Sequence, residues 1–206
     1  MRISCTAFAR VVNQDCYALL RNSSMLRKEG KLRLGPVGGA LHCNSDRRQK
    51  LIDQFSAHSF EGERDLRFQI PDNYAPHVVE WFASRADREM SVLREFYEEL
   101  VEEEHILSDE QVSSANETFL GFASMRGAPK PRYGMVATLR LFEVYDVTIS
   151  ADAMQKLLCH ARHKDRVYFA TQAEIRNQQD LGGGYSVAEI APALVDFSNK
   201  LVIPNI

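Results

Sequence analysis

The sequence predicts an α+β fold, a sandwich built on a mixed sheet, and three observations carry that prediction. Runs rich in Val, Ile, Leu, Phe and Tyr recur along the chain with the short lengths of strands. A few segments between and after them have helical periodicity, among them residues 87–105 and 151–163. No internal repeat and no Gly/Ser-rich linker divides the 206 residues, a length that suits one sizeable core or one core with a large insertion.

The elements follow in order. Ile3 to Val12 and Cys16 to Leu20 read as strands, with Asn13-Gln14-Asp15 as the turn between them, because Asn and Asp tolerate positive φ. Residues 21–30 read as a polar loop, and Lys31 to Leu34 leads into Gly35-Pro36-Val37-Gly38-Gly39-Ala40-Leu41. The stretch 43–75 is polar and irregular, with a short helical segment and an alternating Leu66 to Ile70 strand; it is expected to be an insertion within a single domain spanning 1–206. Glu117 to Ser124, Tyr133 to Thr148 and Arg166 to Thr171 read as further strands. Ser150 is placed to cap the helix from Ala151 to His163, Gly182-Gly183-Gly184 breaks the chain, and Ser186 to Phe197 reads as a final helix.

Composition excludes several function classes. The net charge is −3, so the basic footprint required for duplex nucleic acid is missing, whereas a small nucleotide remains compatible. No apolar run approaches the roughly 18 residues that cross a bilayer. The first residues lack the apolar stretch and cleavage site of a signal peptide. Cys5, Cys16, Cys43 and Cys159 form no Cys-x-x-Cys pair, so reduced thiols and a cytoplasmic location are expected. The oligomeric state is open, a homodimer included.

The chemistry concentrates between Arg94 and Glu102. On a helix, Glu95, Glu98, Glu99 and Glu102 fall on one face at i, i+3, i+4 and i+7, while Met90, Leu93, Phe96, Tyr97 and Leu100 fall on the other. Such a helix buries an apolar stripe and offers clustered carboxylate oxygens, the ligands that Mg²⁺ and Mn²⁺ favour. A solvated acidic face has the same spacing. Helix stability does not account for the cluster, because like charges at i,i+4 and anions near a helix C-terminus are both mildly unfavourable.

The order of residues adds what spacing does not. Arg94-Glu95-Phe96-Tyr97-Glu98-Glu99 resembles the Arg-Glu-apolar-x-Glu-Glu centre of the Nudix box, and Gly38-Gly39 resembles the glycine pair upstream of it. Together with the long 43–75 insertion, the Gly-Pro-x-Gly-Gly-Ala-Leu phrase is similar to the SMODS-associated Nudix branch, found beside bacterial defence genes that use nucleotide second messengers. The resemblance implies a Nudix-like αβα sandwich with an insertion before the box helix. It further implies Glu98 and Glu99 as the main ligands of Mg²⁺ or Mn²⁺, with Glu95 as a further ligand or as the group that orients the attacking water. Arg94 would hold a carboxylate by charge-assisted hydrogen bonds. The implied reaction is hydrolysis of a phosphoanhydride in a nucleoside-diphosphate-linked small molecule, with Gly38 and Gly39 approaching the substrate. The flanks of the box depart from the pattern: Ala86 stands where the upstream Glu is expected, Glu80 where a Gly is expected, and Val101 where a second Gly is expected. Those departures point to the alternative, a catalytically weak nucleotide-binding or sensor module on the same fold. A structural interaction domain with a solvated acidic helix is the third reading.

Other residues carry weaker signals. Gly38 and Gly39 equally suit a bulge or a positive φ. His160 and His163 lack the Glu partner of a zinc-protease motif and read as a surface pair. Trp81, Phe82, Phe119, Phe122 and Tyr145 read as core, and Glu117 and Glu174 as surface charges rather than auxiliary bases.

Overall fold

The computed structural model describes residues 1–21, 32–162, 166–182 and 184–202. Among them the strands are β1 (Arg2–Arg10), β2 (Val12–Asn13), β3 (Cys16–Arg21), β4 (Leu32–Pro36), β5 (Arg67–Gln69), β6 (Asn116–Gly127), β7 (Thr138–Thr148), β8 (Val167–Thr171), β9 (Asp180–Gly182) and β10 (Tyr185–Val187). The helices are α1 (Ser45–Phe55), α2 (Ala75–Ser84), α3 (Leu93–Tyr97), α4 (Asp109–Ser113), α5 (Ala151–Arg162) and α6 (Gln172–Arg176). Both sheets are mixed, and the fold is α+β and Nudix-like, as the sequence predicts.

One sheet has the order β5-β1-β7-β6; the other runs β2-β3-β4-β10-β9, with β8 also on β3. β1 is buried from Arg2 to Ala9 and alternates: Ile3, Cys5, Ala7 and Ala9 enter the core, while Arg2, Ser4, Thr6 and Phe8 line a cavity on its other face. It runs parallel to β7 from Arg2↔Thr138 to Arg10↔Asp146 and antiparallel to β5 over Arg2 to Ser4. Beyond β5 the chain that leaves β4 takes over this edge. Ala9 N–H donates to Val37 C=O at 2.9 Å, Ala7 N–H to Gly39 C=O at 3.0 Å, and Leu41 N–H to Cys5 C=O at 3.1 Å. Gly38 and Gly39 are therefore carried from one sheet onto the central strand of the other.

The hairpin joining β2 to β3 is tighter than the three-residue turn expected. Asn13 pairs with Cys16, leaving Gln14 and Asp15 as a two-residue loop with φ of 48° and 61°, the twist a tight hairpin requires. Ser150 Oγ accepts from Ala153 N–H and caps α5. The 43–75 stretch is more regular than its composition indicates. It holds α1, capped by Asn44 and buried through Leu51 and Phe55, and β5, which completes the edge of the β1 sheet.

One helix is added to the sequence reading and two helical expectations are corrected. α2 is absent from the sequence reading, although Ala75, Val78, Val79 and Phe82 bury one face at i, i+3, i+4 and i+7. The helix expected from Asp87 begins only at Leu93: left-handed Arg85 (φ 56°) and Asp87 (φ 58°) end α2 and turn the chain first. Met90 thus lies ahead of the helix and is 52% exposed, while Phe96 and Leu100 are fully buried. The final helix over 186–197 is β10 followed by one 3-10 turn, Ala191–Leu194. Val187 pairs in parallel with Leu34, Ala188 N–H continues that ladder to Leu34 C=O, and Pro192 has no N–H to extend a helix.

Phe82, Phe122 and Tyr145 are buried, with Phe119 against the last two at 5.0 and 5.5 Å between ring centroids. The loop expected after Arg21, together with His163 and Gly183, lies outside the described residues.

Candidate functional site

α3 is set in place from both ends. Its first turn has Val92 N–H donating to Glu117 Oε2 at 2.8 Å, so Glu117, on β6, satisfies one of the N–H groups left over at a helix start. Phe96 and Leu100 anchor the buried face. After Tyr97 the helix widens into π-helical turns over Glu98–Glu103, where Glu104 N–H reaches back five residues to Glu99 C=O at 3.0 Å. The helix thus continues past the box, as Leu100-Val101-Glu102 implies, but with a different phase. Glu95 feels the charge of Glu98, and Glu99 that of Glu95, whereas Glu102 is exposed.

Arg94 is the hub. Its Nε and Nη2 donate to the two oxygens of Glu89, both at 2.9 Å. Its Nη1 donates to Glu95 Oε1 at 2.8 Å and Glu98 Oε2 at 2.9 Å, and Nη2 also reaches Ala40 C=O at 2.7 Å. One guanidinium fork therefore orients two of the box carboxylates and ties α3 to the segment after the glycine pair. Glu89 is the residue that sequence reasoning missed. It supplies the carboxylate partner whose expected position holds Ala86, and it is locked in turn by His42 N–H to its Oε2 at 2.9 Å and by its own N–H to His42 C=O at 3.1 Å.

The turn that delivers Glu89 has a buried electrostatic anchor. Arg88 and Glu143, on β7, are both 0% exposed at their side chains and meet at 2.7 Å. Arg85 Nε adds 2.9 Å to the same oxygen, and the Tyr145 hydroxyl donates to the other at 2.6 Å. Burial, then the Glu143 charge, pushes the Tyr145 phenol up, so the hydroxyl stays a donor. Arg88 Nη2 also donates to Phe82 C=O at 2.6 Å, and Nη1 to Glu89 C=O at 3.0 Å. Glu143 to Arg88 to Glu89 to Arg94 to Glu95 and Glu98 is a continuous chain of polar contacts. Its one trace in the sequence is Glu143, flanked by apolar Leu141, Phe142 and Val144 within β7.

Gly38 and Gly39 shape the other wall. Gly38 has φ of 133°, and a Cβ there would lie 2.1 Å from Ala7 O. Its N–H donates to Glu99 Oε2 at 2.7 Å. At Gly39 a Cβ would meet Glu95 Oε2 at 1.9 Å, so the carboxylate occupies the space that any side chain would need. Burial pushes the Glu99 carboxyl up to about 8; the Gly38 N–H opposes the rise and the charges of Glu95, Glu103 and Glu104 add to it. Burial likewise raises Glu95, with Arg94 pulling it down and Glu98 pushing it up.

The donor chemistry fits a hard divalent cation: three carboxylates from adjacent turns, two of them, Glu95 and Glu99, raised first by burial and then by the charge of neighbouring carboxylates, which a cation would relieve. Among the described residues, no three His, Cys, Asp or Glu side chains converge as they lie on one point suited to a metal. Arg94 draws Glu95 and Glu98 while the Gly38 N–H holds Glu99, so a cation would compete with Arg94 for Glu98, which is 39% exposed at its side chain. A cavity of about 350 Å³ opens beside Gly38, Gly39 and Glu99.

The remaining candidates have other roles. Glu174 forms a capping box with Thr171 at the start of α6, and His160 lies half-buried on α5. No disulfide is present among the described residues: Cys5 and Cys43 are buried free thiols, Cys16 is half-buried and Cys159 exposed.

No helix among the described residues is long and apolar enough to cross a membrane. No curated protein and no solved structure matches the chain. The family model for the SMODS-associated NUDIX domain matches residues 1–194. Nudix domains generally use divalent metals, and membership carries the coarse function of a Nudix-type hydrolase or a related module. With Arg94, Glu95, Glu98, Glu99 and the glycine pair gathered as described, the chain belongs to the SMODS-associated NUDIX domain family.

Proposed function

We propose that the protein is a cytoplasmic hydrolase, dependent on Mg²⁺ or Mn²⁺, that cleaves a phosphoanhydride in a nucleoside-diphosphate-linked small molecule, in the setting of bacterial defence. The observation that carries this reading is the Arg94 fork: with Glu89 in place, the arginine keeps a full carboxylate partner despite Ala86 and still orients Glu95 and Glu98.

Glu98 and Glu99 would hold the cation, with Glu95 positioning the water. The bound cation would neutralise phosphate charge and favour deprotonation of the attacking water. The chain's own contribution is placement. Arg94 holds one oxygen of Glu95 and one of Glu98 from a single nitrogen, and Gly38 fixes Glu99 through its N–H. Gly38 and Gly39 line the cavity beside Glu99 and would present backbone at its wall to the substrate.

Purified protein screened against nucleotide and dinucleotide substrates with Mg²⁺ or Mn²⁺ tests the proposal. Metal-dependent turnover that disappears in Glu98→Gln and Glu99→Gln is expected. Absence of metal-dependent turnover, or full turnover in both variants, would sink it. The second reading, a nucleotide sensor with little or no turnover, is motivated by Ala86 and Val101 at the flanks of the box. It predicts tight nucleotide binding without product.

A further inference from the structure

The cavity beside Glu99 is far more basic than the chain around it. Arg2, Arg33, Arg67, Lys130 and Arg140 line it, against the carboxylates Glu61, Glu99 and Glu189, in a protein of net charge −3. Two of the cations are costly to place there. Arg2 is 5% exposed at its side chain and Arg140 13%, so each is largely removed from water at the wall of a concave space.

Compensation at the Arg140 end is incomplete. Arg140 Nη2 meets Glu189 Oε1 at 3.0 Å, and Lys130 Nζ meets the same oxygen at 3.9 Å. One carboxylate, itself 54% exposed, thus faces two cations. Gly127 leaves space for the Arg140 guanidinium: a Cβ there would lie 2.6 Å from Nη1. By contrast, Arg2 has a matched two-point partner in Glu61, at 2.5 and 2.8 Å, and lies over the Tyr133 ring.

The strand register separates this end from the carboxylates. Arg140 pairs with Ser4 on β1, whereas Gly39 bonds Ala7, three residues further along, roughly 10 Å of strand. Arg67 pairs with the same Ser4 from the other side of β1; it lines the cavity, and its charge is felt by Glu95.

We infer that Arg140 and Lys130 form a second anion subsite, which takes a phosphate group separate from the scissile linkage, and that Glu189 holds its place until the ligand arrives. The ligand class is a nucleotide with two separated phosphates, such as one phosphorylated on its ribose as well as at the 5′ position. The inference rests on the proposed function, with Glu95, Glu98 and Glu99 as the reacting end. A phosphate offers Arg140 charge-assisted bonds that a half-exposed carboxylate on a loop supplies only singly.

The test is calorimetry on the full chain in chelator with adenosine 3′,5′-bisphosphate and adenosine 5′-monophosphate, neither of which contains a phosphoanhydride. The bisphosphate is expected to bind about tenfold tighter, the gain of one or two charge-assisted hydrogen bonds. Arg140→Gln and the more exposed Lys130→Gln should each erase most of that preference, Glu189→Gln should increase it, and Arg162→Gln, on the exposed end of α5, should leave it intact. Equal binding of the two nucleotides by the native chain overturns the inference, as does a preference that survives both Arg140→Gln and Lys130→Gln. Because neither probe has a scissile bond and no metal is present, the preference can hold when no substrate is hydrolysed, and hydrolysis can hold when the preference is absent.

Discussion

The backbone N–H of Gly38 and the Oε2 of Glu99 lie 2.7 Å apart, across 61 residues of sequence. The bond joins the segment laid along β1 to the widened part of the box helix. Gly38→Ala would place a methyl 2.1 Å from Ala7 O at a φ of 133°, so a loss of about 2–5 kcal/mol in chemical denaturation is expected. A Gly38→Ala protein as stable as the native one would contradict this account of the glycine.

Gly39→Ala should behave differently. Its Cβ would meet the carboxylate of Glu95, the far end of a flexible side chain, and not backbone. The fold should survive, while Glu95 is displaced and turnover falls roughly 10- to 100-fold, the scale of lost orientation around a metal site. Near-native kinetics in this variant would show that Glu95 need not lie over Gly39.

Glu89 is expected to matter as much as the box itself. Glu89→Gln removes one acceptor charge from the two-point contact with Arg94, freeing the arginine to redistribute among Glu95 and Glu98. Divalent-cation affinity measured by calorimetry should drop about 10- to 100-fold with little change in melting temperature. Ala86→Glu should not rescue it if the arginine's partner is delivered by the turn at Arg88. Rescue would show that the usual box position is still available.

That turn depends on the Arg88–Glu143 pair, buried on both sides. Glu143→Gln leaves a buried guanidinium without its counter-charge and should cost about 3–5 kcal/mol, read by urea denaturation. A change below about 1 kcal/mol would show that the pair does not anchor the turn.

Glu99 makes stability depend on pH in the metal-free protein. Its carboxyl is raised by burial from an ordinary 4.5 to about 8, so the folded chain holds a proton that the unfolded chain has released. The associated stability is complete below about 4.5 and is lost as pH rises through about 8. In chelator, the melting temperature should decline across that window, and Glu99→Gln should flatten the decline. Added Mg²⁺ should stabilise most at the upper end, since a cation binds the deprotonated form. A flat native profile would mean that Glu99 is not desolvated as described.

The sequence by itself determined the α+β class and most of the strands, and it marked Arg94, Glu95, Glu98 and Glu99 as the candidate site, because these are local signals: alternation, helical spacing and an ordered motif. It also identified Gly38 and Gly39, while leaving open whether they serve a ligand or the backbone. Tertiary structure decided what each group touches. The left-handed residues Arg85 and Asp87 and the Arg88–Glu143 pair bring Glu89, not residue 86, to Arg94, a pairing that depends on β7 lying alongside β1. The helix widens into π-helical turns over Glu98–Glu103, which regular spacing does not reveal. The physical reason is range: periodicity records which face of an element is buried, whereas the partner of a charged side chain is chosen by contacts that close only when distant segments pack.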